Sequence, residues 1–287
     1  MIAHPNCKIN IGLHVTERRP DGYHNLETIF APIPLCDTLE ITPAPEFSFH
    51  QHGLRMECDT SENLCVRAYR LLKEVFPAMG AVSMTLTKEI PMGAGMGGGS
   101  SDAAFTLKML NELFALGLGH SQMESLATRL GADCPFFVRN VPAFATGIGN
   151  VLSPIDLSML DGWHLVLAKP AESVSTAEAY RGIVPRSGWA RRPSIDLREA
   201  IRQPVATWKE SVVNDFERSV FPRHPAIARC KDELYRAGAA YASMTGSGAA
   251  VYGLFPPGED FWSHIEKSSY LCKIDTLTSK VFHYGRL

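Results

Sequence analysis

The residues best suited to chemistry form a glycine-rich run near the middle of the chain. Residues 91–102 read PMGAGMGGGSSD, with five glycines among the seven positions 93–99. Glycine lets the backbone approach a ligand closely, and the free N–H groups at a helix N-terminus favour anions. Because a helical pattern follows, the run predicts a phosphate-binding loop, in which the hydroxyls of Ser100 and Ser101 can bind phosphate or Mg²⁺. A flexible surface loop capped by serines is the alternative.

Two better-known phosphate motifs fit this run poorly. A P-loop ends in Gly-Lys-Ser/Thr, and no lysine follows these glycines. Residues 93–98 match G-x-G-x-x-G, but a dinucleotide fold needs a parallel βαβ unit and an acidic residue ~20 positions later. Glu112 and Glu124 flank that distance, and neither ends an evident strand. The pattern therefore predicts a phosphate loop of another type.

Three other segments carry side chains that could act with this loop. Lys8 and Asn10 share one face of a predicted first strand, Asp133 follows a helix stop at Gly131, and residues 243–248 (SMTGSG) form a second small-residue loop. Each segment has an ordinary explanation when taken alone. These are a solvated sheet face, a turn or cap residue, and a tight hairpin.

The elements that position these residues follow from the hydrophobic periodicity. Cys7, Ile9, Ile11, Leu13 and Val15 alternate with polar residues and glycine, which predicts a first strand. Further strands are predicted at 25–33, 37–43, 46–51, 81–88, 163–168, 240–244 and 249–255. Helices are predicted at 63–76, from 100–102 onward, at 121–131 with a Ser121/Glu124 capping box, at 175–182, at 194–202 and from Pro225 to Gly238. The chain is therefore predicted to be α+β, with a domain boundary near residue 155 and a final helix and strand.

The composition limits the classes of function. The chain has 287 residues and a formal net charge of −2, without the basic excess expected of a nucleic-acid-binding protein. Its seven cysteines lack CxxC spacing, which argues against a disulfide framework or a zinc cluster and favours a reducing compartment. We find neither a signal-peptide pattern nor about 18 consecutive apolar residues. We therefore expect a cytoplasmic protein without a membrane or nucleic-acid partner, and we assign no residue as a metal ligand.

Taken together, the chemistry-bearing segments resemble the conserved blocks of the GHMP small-molecule kinases. The resemblance rests on five blocks in the expected order: CKINIGLHVTERRPDGYH (7–24), GAGMGGGSSDAA (93–104), LGADCPFF (130–137), NDFE (214–217) and MTGSGAAVY (244–252). It implies a two-domain α+β GHMP kinase fold. Residues 1–155 would form a domain like the second domain of ribosomal protein S5, and residues 156–287 a ferredoxin-like domain.

The resemblance also implies roles for single residues. Lys8 and Asp133 are expected to be the catalytic pair, in which Asp133 accepts or orients the hydroxyl proton and Lys8 neutralises charge on the transferred phosphoryl group. The ATP phosphates are expected to bind the first glycine loop, residues 91–101: Pro91, Met92, Gly93, Ala94, Gly95, Met96, Gly97, Gly98, Gly99, Ser100 and Ser101. The acceptor substrate is expected to contact Asn10, Tyr23, His24, Thr176, Tyr180, Thr245, Gly246 and Ser247.

Within the family, the DGYH sequence at 21–24 resembles the branch that acts on a cytidine-diphosphate-linked sugar alcohol. Tyr23 is expected to stack on the cytosine, His24 to bond its edge, and Tyr180 to cover its other face, although Tyr180 could equally be a helix residue that packs on the domain core. The implied reaction is Mg²⁺-dependent transfer from ATP to the 2-hydroxyl of cytidyl-linked methylerythritol, in the non-mevalonate route to isoprenoids.

Two alternatives stay open at this point. One is a GHMP kinase of the homoserine or mevalonate type, and the other is a non-catalytic nucleotide-binding protein of the same fold. The expected partner is a small-molecule substrate, and the expected state is a monomer or a weak homodimer.

Overall fold

The computed structural model describes residues 1–54, 59–186, 196–258, 270–274 and 281–284. The strands are β1 (Ile2–Ala3), β2 (Asn6–Arg18), β3 (His24–Cys36), β4 (Thr38–Ala44), β5 (Ser48–Gly53), β6 (Ala81–Lys88), β7 (Ala143–Thr146), β8 (Val151–Pro154), β9 (His164–Lys169), β10 (Tyr241–Met244), β11 (Val251–Phe255), β12 (Tyr270–Ile274) and β13 (Val281–Tyr284). The helices are α1 (Leu64–Val75), α2 (Gly98–Leu113), α3 (His120–Thr128), α4 (Phe136–Arg139), α5 (Thr176–Tyr180), α6 (Leu197–Ala200), α7 (Trp208–Ser211), α8 (Glu217–Val220) and α9 (Pro225–Arg236).

The chain forms two compact units, and each unit is built from separate stretches of sequence. The first unit comprises Met1–Cys7, Leu35–Met92 and Gly97–Val141, and the second comprises Lys8–Pro34, Gly93–Met96 and Pro142–Leu287. The first glycine loop therefore contributes residues 93–96 to the second unit and its remaining residues to the first. The division of the sequence near residue 155 stays a prediction.

The first unit joins a four-stranded sheet to a group of helices. The strand order is β1-β4-β6-β5, in which β5 runs parallel to β6 and the other pairs are antiparallel. Helix α1 begins where Asn63 Oδ1 accepts a hydrogen bond from Cys65 N at 2.8 Å, which satisfies one free donor of the first turn. Its buried stripe follows the helical period: Cys65, Val66, Ala68, Tyr69, Leu71 and Leu72.

The second unit contains an antiparallel five-stranded sheet and most of a four-stranded sheet. The larger sheet has the order β10-β11-β9-β12-β13, and the smaller has the order β2-β3-β7-β8. Helix α9 begins with Pro225, which suits the first turn of a helix, and buries Ile227, Cys230 and Leu234. These residues join a core with Val166 and Val251 from the larger sheet.

The predicted elements of strong periodicity are confirmed within a few residues, while some local details are wrong. The ordinary explanation of β2, a strand with one solvated face, is wrong, because Lys8, Asn10 and His14 on that face are 2–3% exposed. The predicted Ser121/Glu124 capping box is also wrong. Helix α3 begins one residue earlier, and the side chain that returns to the helix start is that of Gln122, whose Oε1 accepts from Gly119 N at 2.9 Å.

Several short elements were not predicted, and some predictions cannot be placed. Strands β7 and β8 and helices α4, α7 and α8 are each four residues long. The predicted terminal helix and the start of the 194–202 helix fall outside the described residues. Across the described part of the chain, no helix is long and apolar enough to cross a membrane.

Candidate active site

The first and second glycine loops pack backbone against backbone within the second unit, where the second glycine loop is residues 245–248. Ala249 N donates to Gly93 O at 3.0 Å, and Ala250 N donates to Ala94 O at 3.2 Å. A Cβ atom on Gly95 would lie 2.1 Å from the carbonyl oxygen of Thr245. The close approach of the two loops therefore requires glycine at position 95, and its φ of +72° favours glycine as well.

Lys8 brings a positive charge to this junction. It lies on β2, and its backbone N–H donates to Met96 O at 3.0 Å. Its ammonium group donates to Asn10 Oδ1 at 2.6 Å and to Gly95 O at 3.0 Å, and lies 5.1 Å from the centre of the Phe30 ring. The side chain is 2% exposed. These contacts hold the ammonium at the carbonyl of a residue predicted to bind phosphate.

Asn10 and Thr245 complete the hydrogen bonds around Lys8. The Thr245 hydroxyl accepts from Asn10 N at 3.0 Å and lies 3.2 Å from Gly95 O, to which it can donate. The Asn10 amide donates to Thr28 Oγ1 at 2.9 Å. Both side chains are buried, as expected for polar groups with this many partners. The structure thus brings together Lys8, Asn10, Gly95 and Thr245, which the sequence predicted to act in one site.

The predicted cytidine residues include an aromatic pair in the second unit. The His24 ring stacks on Tyr180 with centroids 4.7 Å apart and planes inclined by 19°, and Tyr180 meets Phe216 edge-on at 4.8 Å. Burial and the charge of Arg18 lower the pKa of His24, so its imidazole is neutral at pH 7. The Tyr23 side chain is 62% exposed. The surface therefore offers one exposed ring and one stacked pair.

Thr176 and Ser247 also lie together. Their hydroxyl oxygens are 3.4 Å apart, so α5 and the second glycine loop present adjacent donors. Helix α5 begins at Thr176, where the Ser175 hydroxyl accepts from Glu178 N at 3.1 Å. The cap fixes the start of the helix that carries Tyr180.

The rest of the first glycine loop and Asp133 lie in the first unit. Helix α2 begins at Gly98, and its preceding residue, Gly97, has a φ of +70° and provides no side-chain cap. The first-turn N–H groups are therefore available to an anion. Asp133 is half-buried in the turn before α4. Its pairing with Lys8 stays a prediction.

Comparison with known proteins identifies the family. Residues 63–146 match the family described as GHMP kinases N terminal domain, and residues 197–261 match GHMP kinases C terminal. A 4-diphosphocytidyl-2-C-methyl-D-erythritol kinase from Bacteroides thetaiotaomicron is 54% identical over 261 residues, which cover 90% of this chain and 93% of that protein. The protein of the same name from Parabacteroides distasonis is 51% identical over 255 residues, covering 89% and 92%. The chain belongs to the GHMP kinase family.

Solved structures agree with this assignment. The crystal structure of a 4-(cytidine 5'-diphospho)-2C-methyl-D-erythritol kinase is similar with a TM-score of 0.71 at 33% identity, covering 88% of this chain and 90% of that one. The mevalonate kinase of Methanococcus jannaschii has a TM-score of 0.60 at 15% identity, covering 89% and 90%, and shows the fold alone. The resemblance of the sequence motifs and the predicted GHMP kinase fold are confirmed, and the chain is a kinase of this family.

This GHMP kinase also holds a buried charge cluster that the sequence did not predict. The Lys88 ammonium bonds the carboxylates of Asp37 and Asp102 at the base of the first glycine loop, and Asp37 Oδ1 accepts from the backbone N–H groups of Glu89 and Ile90 at 2.6 and 2.9 Å. Burial alone lowers the pKa of Lys88, but the two carboxylates outweigh it and raise that pKa. Burial, with the nearby Asp37 carboxylate, raises the pKa of Asp102.

The serines of the first glycine loop differ in their surroundings. Ser101 is fully buried, and within the described residues its hydroxyl has no hydrogen-bond partner. The Ser100 hydroxyl bonds the thiol of Cys134, whose pKa burial raises to about 12. Ser101 thus keeps an unused polar atom at the start of α2, which fits a phosphate oxygen or a hydrated cation.

Proposed function

We propose that this GHMP kinase transfers the γ-phosphoryl group of ATP to the 2-hydroxyl of 4-diphosphocytidyl-2-C-methyl-D-erythritol, in the non-mevalonate route to isoprenoid precursors. The observation that carries the proposal is the buried Lys8 ammonium at the junction of two glycine loops. The names of the curated relatives support the choice of acceptor.

The first glycine loop would bind the ATP phosphates. Residues 93–96 pack closely against the second glycine loop. The first-turn N–H groups of α2 favour an anion at the start of that helix. The hydroxyls of Ser100 and Ser101 would help to hold the Mg²⁺ that accompanies ATP. That ion neutralises phosphate charge when it is bound.

Lys8 and Asp133 would act on the transferred group and the acceptor hydroxyl. Lys8 is positioned in part by Asn10 Oδ1 and Gly95 O, which accept hydrogen bonds from its positively charged ammonium. That charge stabilises negative charge on the phosphoryl group as it moves. Asp133 would accept or orient the proton of the attacking 2-hydroxyl.

The acceptor would be recognised through its cytidine. Tyr23 has an exposed ring on which a base can stack, and a neutral His24 can bond the base edge. Tyr180 is covered by His24 on the face where the two rings stack. A base can take this position against Tyr180 only when His24 moves off it, so the proposal implies a rearrangement of His24 on binding.

The test is an assay of ADP release with Mg²⁺-ATP and 4-diphosphocytidyl-2-C-methyl-D-erythritol, with free methylerythritol, homoserine and mevalonate as matched controls. We expect ADP release with the cytidylated compound alone, and competition by cytidine nucleotides. Turnover of homoserine or mevalonate in its place would overturn the choice of acceptor. A folded protein that binds ATP and turns over none of the four compounds would overturn the proposal as a whole.

A further inference from the structure

The NDFE segment, residues 214–217, is a sequence block that the proposed mechanism does not use. It follows α7 in the second unit and ends at the first residue of α8, and all its polar side chains are hydrogen-bonded. We propose that Asn214 is a positioning residue for phosphoryl transfer, which fixes the second glycine loop so that Thr245 can hold Lys8 and Asn10 in place. The inference rests on the proposed function, because it takes Lys8 to act on the phosphoryl group.

The Asn214 amide bonds the carbonyl groups on both sides of Thr245. Its Nδ2 atom donates to Met244 O at 2.7 Å and to Gly246 O at 2.8 Å, while its Oδ1 accepts from Phe216 N at 3.0 Å. The side chain is 2% exposed. Both N–H bonds of one planar amide are thus used on two carbonyls of the same loop. A carboxylate of the same shape would direct negative oxygen at both carbonyls and repel them.

Thr245 carries this constraint to the catalytic lysine. Its hydroxyl accepts from Asn10 N at 3.0 Å and lies 3.2 Å from Gly95 O, and those two residues supply the acceptors of the Lys8 ammonium. A shift of the loop backbone at Thr245 therefore moves the oxygens that orient Lys8. Errors of about 1 Å in such positions can cost on the order of 10²-fold in rate.

The segment around Asn214 is itself fixed on the strand that carries Lys8. Leu13 N donates to Val213 O at 2.9 Å, and Asp215 N donates to Leu13 O at 2.8 Å. Asp215 Oδ2 accepts from Val15 N at 2.9 Å, and its carboxylate forms two bonds of 2.7 and 2.9 Å with Arg186. Asn214 thus relates the loop directly to β2, which explains how one amide can set the loop against Lys8.

Glu217 adds a bond at the start of the same loop. Its Oε1 accepts from Met244 N at 2.9 Å, and its Oε2 accepts from Lys231 Nζ at 2.6 Å. Met244 is therefore held at both its N–H, by Glu217, and its carbonyl, by Asn214. The two hydrogen bonds from Asn214, to Met244 O and to Gly246 O, flank Thr245. Within the segment 214–217, we therefore expect the loss of Asn214 to move Thr245 most.

The experiment compares Asn214→Ala with Tyr241→Phe. Tyr241 is a matched control because it is buried and lies on β10, the strand that leads into the second glycine loop. Its hydroxyl donates to Val212 O at 2.6 Å, which is outside that loop. We expect both variants to lose similar thermal stability. We expect Asn214→Ala alone to lose on the order of 10- to 100-fold in kcat with KM for ATP nearly unchanged, since a misplaced Lys8 weakens the transition state more than ground-state binding.

A double-mutant cycle with Thr245→Val tests the route of the effect. If Asn214 acts through Thr245, the double variant should have a kcat no lower than the more impaired single variant, whereas Tyr241→Phe and Thr245→Val should combine additively. Additive losses for Asn214→Ala and Thr245→Val would overturn the route. Equal kcat losses in Asn214→Ala and Tyr241→Phe would reduce Asn214 to a structural role.

Amide hydrogen exchange of residues 244–248 gives a readout that needs no substrate. We expect faster exchange there in Asn214→Ala, and in Asn214→Ser if the alanine variant does not fold, but not in Tyr241→Phe. Unchanged exchange in the loop would overturn the proposal even for an inactive protein. If the wild type turns over no acceptor while the loop loosens as expected, the proposed function fails and the hold of Asn214 on the loop stands.

Discussion

Two buried lysines, one in each unit, contact different kinds of side chain. Lys8 on β2 donates to an amide oxygen and a backbone carbonyl, whereas Lys88 on β6 contacts two carboxylates. Their side chains are equally buried, at 2–3% exposure. Asp37 and Asp102 hold the Lys88 ammonium within the fold of the first unit, whereas Lys8 lies in the block of residues 7–24 that resembles a conserved block of the GHMP kinases. We therefore expect Lys8 to serve the reaction and Lys88 to serve the fold.

The largest expected effect tests the acid proposed to act with Lys8. Asp133→Ala should lower kcat by a factor on the order of 10²–10⁴ while leaving ATP affinity largely intact, because a group that accepts or orients the hydroxyl proton contributes in the transition state. Steady-state kinetics and ATP titration measure both quantities. Asp156→Ala is the control, since Asp156 is exposed and its carboxylate accepts a hydrogen bond from Ser158 N. Near-normal turnover in Asp133→Ala would remove Asp133 from the catalytic pair.

Lys8→Met should lower kcat nearly as much as Asp133→Ala and should lower the free energy of unfolding only a little. Loss of the charge that we propose to stabilise the transferred phosphoryl group should lower kcat by about 10²–10³-fold. Lys169→Met is a matched control, because Lys169 is also buried and donates to two carbonyls, Pro170 O at 3.1 Å and Glu172 O at 3.2 Å. If both lysine variants lose turnover equally, the contrast between Lys8 and a structural lysine is wrong.

Lys88→Met should reverse this pattern. Removal of the ammonium leaves the Asp37 carboxylate and the largely protonated Asp102 carboxyl group buried without it. Breaking a buried ion pair from one side costs about 3–5 kcal/mol of unfolding free energy. Denaturant unfolding followed by circular dichroism gives the value. Lys108→Met, on the half-exposed side of α2, should change stability far less. A stable Lys88→Met protein with impaired turnover would instead make Lys88 a functional residue.

The charge cluster should also make stability depend on pH. Burial raises the pKa of Asp102 to about 8, so the folded state keeps a proton that the unfolded state releases near its ordinary value of about 3.9. The folded state binds more protons between these values, and the free energy of unfolding should fall as the pH rises from about 4 to about 8. Asp102→Asn should flatten this fall.

Because His14 also makes stability depend on pH, the test compares the unfolding free energies of the wild type and Asp102→Asn. Burial lowers the pKa of His14 to about 4, which makes stability rise with pH between about 4 and 6.5. Because His14 is present in both proteins, subtracting the unfolding curve of Asp102→Asn from that of the wild type removes its contribution. A flat difference across pH 4–8 would show that Asp102 keeps an ordinary pKa.

The comparison of the two lysines also marks what the sequence could predict. Lys8 became a candidate because its strand carries a family motif. The periodicity of α1, β6, α2 and α9 predicted those elements within a few residues. The burial of Lys8 was not predicted, since its ammonium lies against Gly95 O, which is 87 positions away along the chain. A period-two pattern shows which residues share a face, and it does not show what covers that face.

The Lys88 cluster was missed for a related reason. Asp37 is 51 positions from Lys88, and Asp102 is 14 positions away, so no local pattern joins them. The one available signal was a charged residue, Lys88, at a position where the alternation of Val82, Met84 and Leu86 continues inward. Strands β7 and β8 were missed because four residues give too short a period to detect.

The smallest expected effect concerns the recognition of cytidine. Tyr23→Ala should raise KM for the cytidylated acceptor by at least about 5-fold and leave KM for ATP unchanged, because stacking of a base on an aromatic ring is worth about 1–3 kcal/mol. Tyr23→Phe keeps the ring and should behave like the wild type. The Tyr23 ring is exposed, so neither change should disturb the fold. An unaltered acceptor KM in Tyr23→Ala would place the base elsewhere, and the stacked pair of His24 and Tyr180 would then be the next surface to test. Lys8 and Lys88 depend on buried partners, whereas Tyr23 would bind the base through the exposed face of its ring.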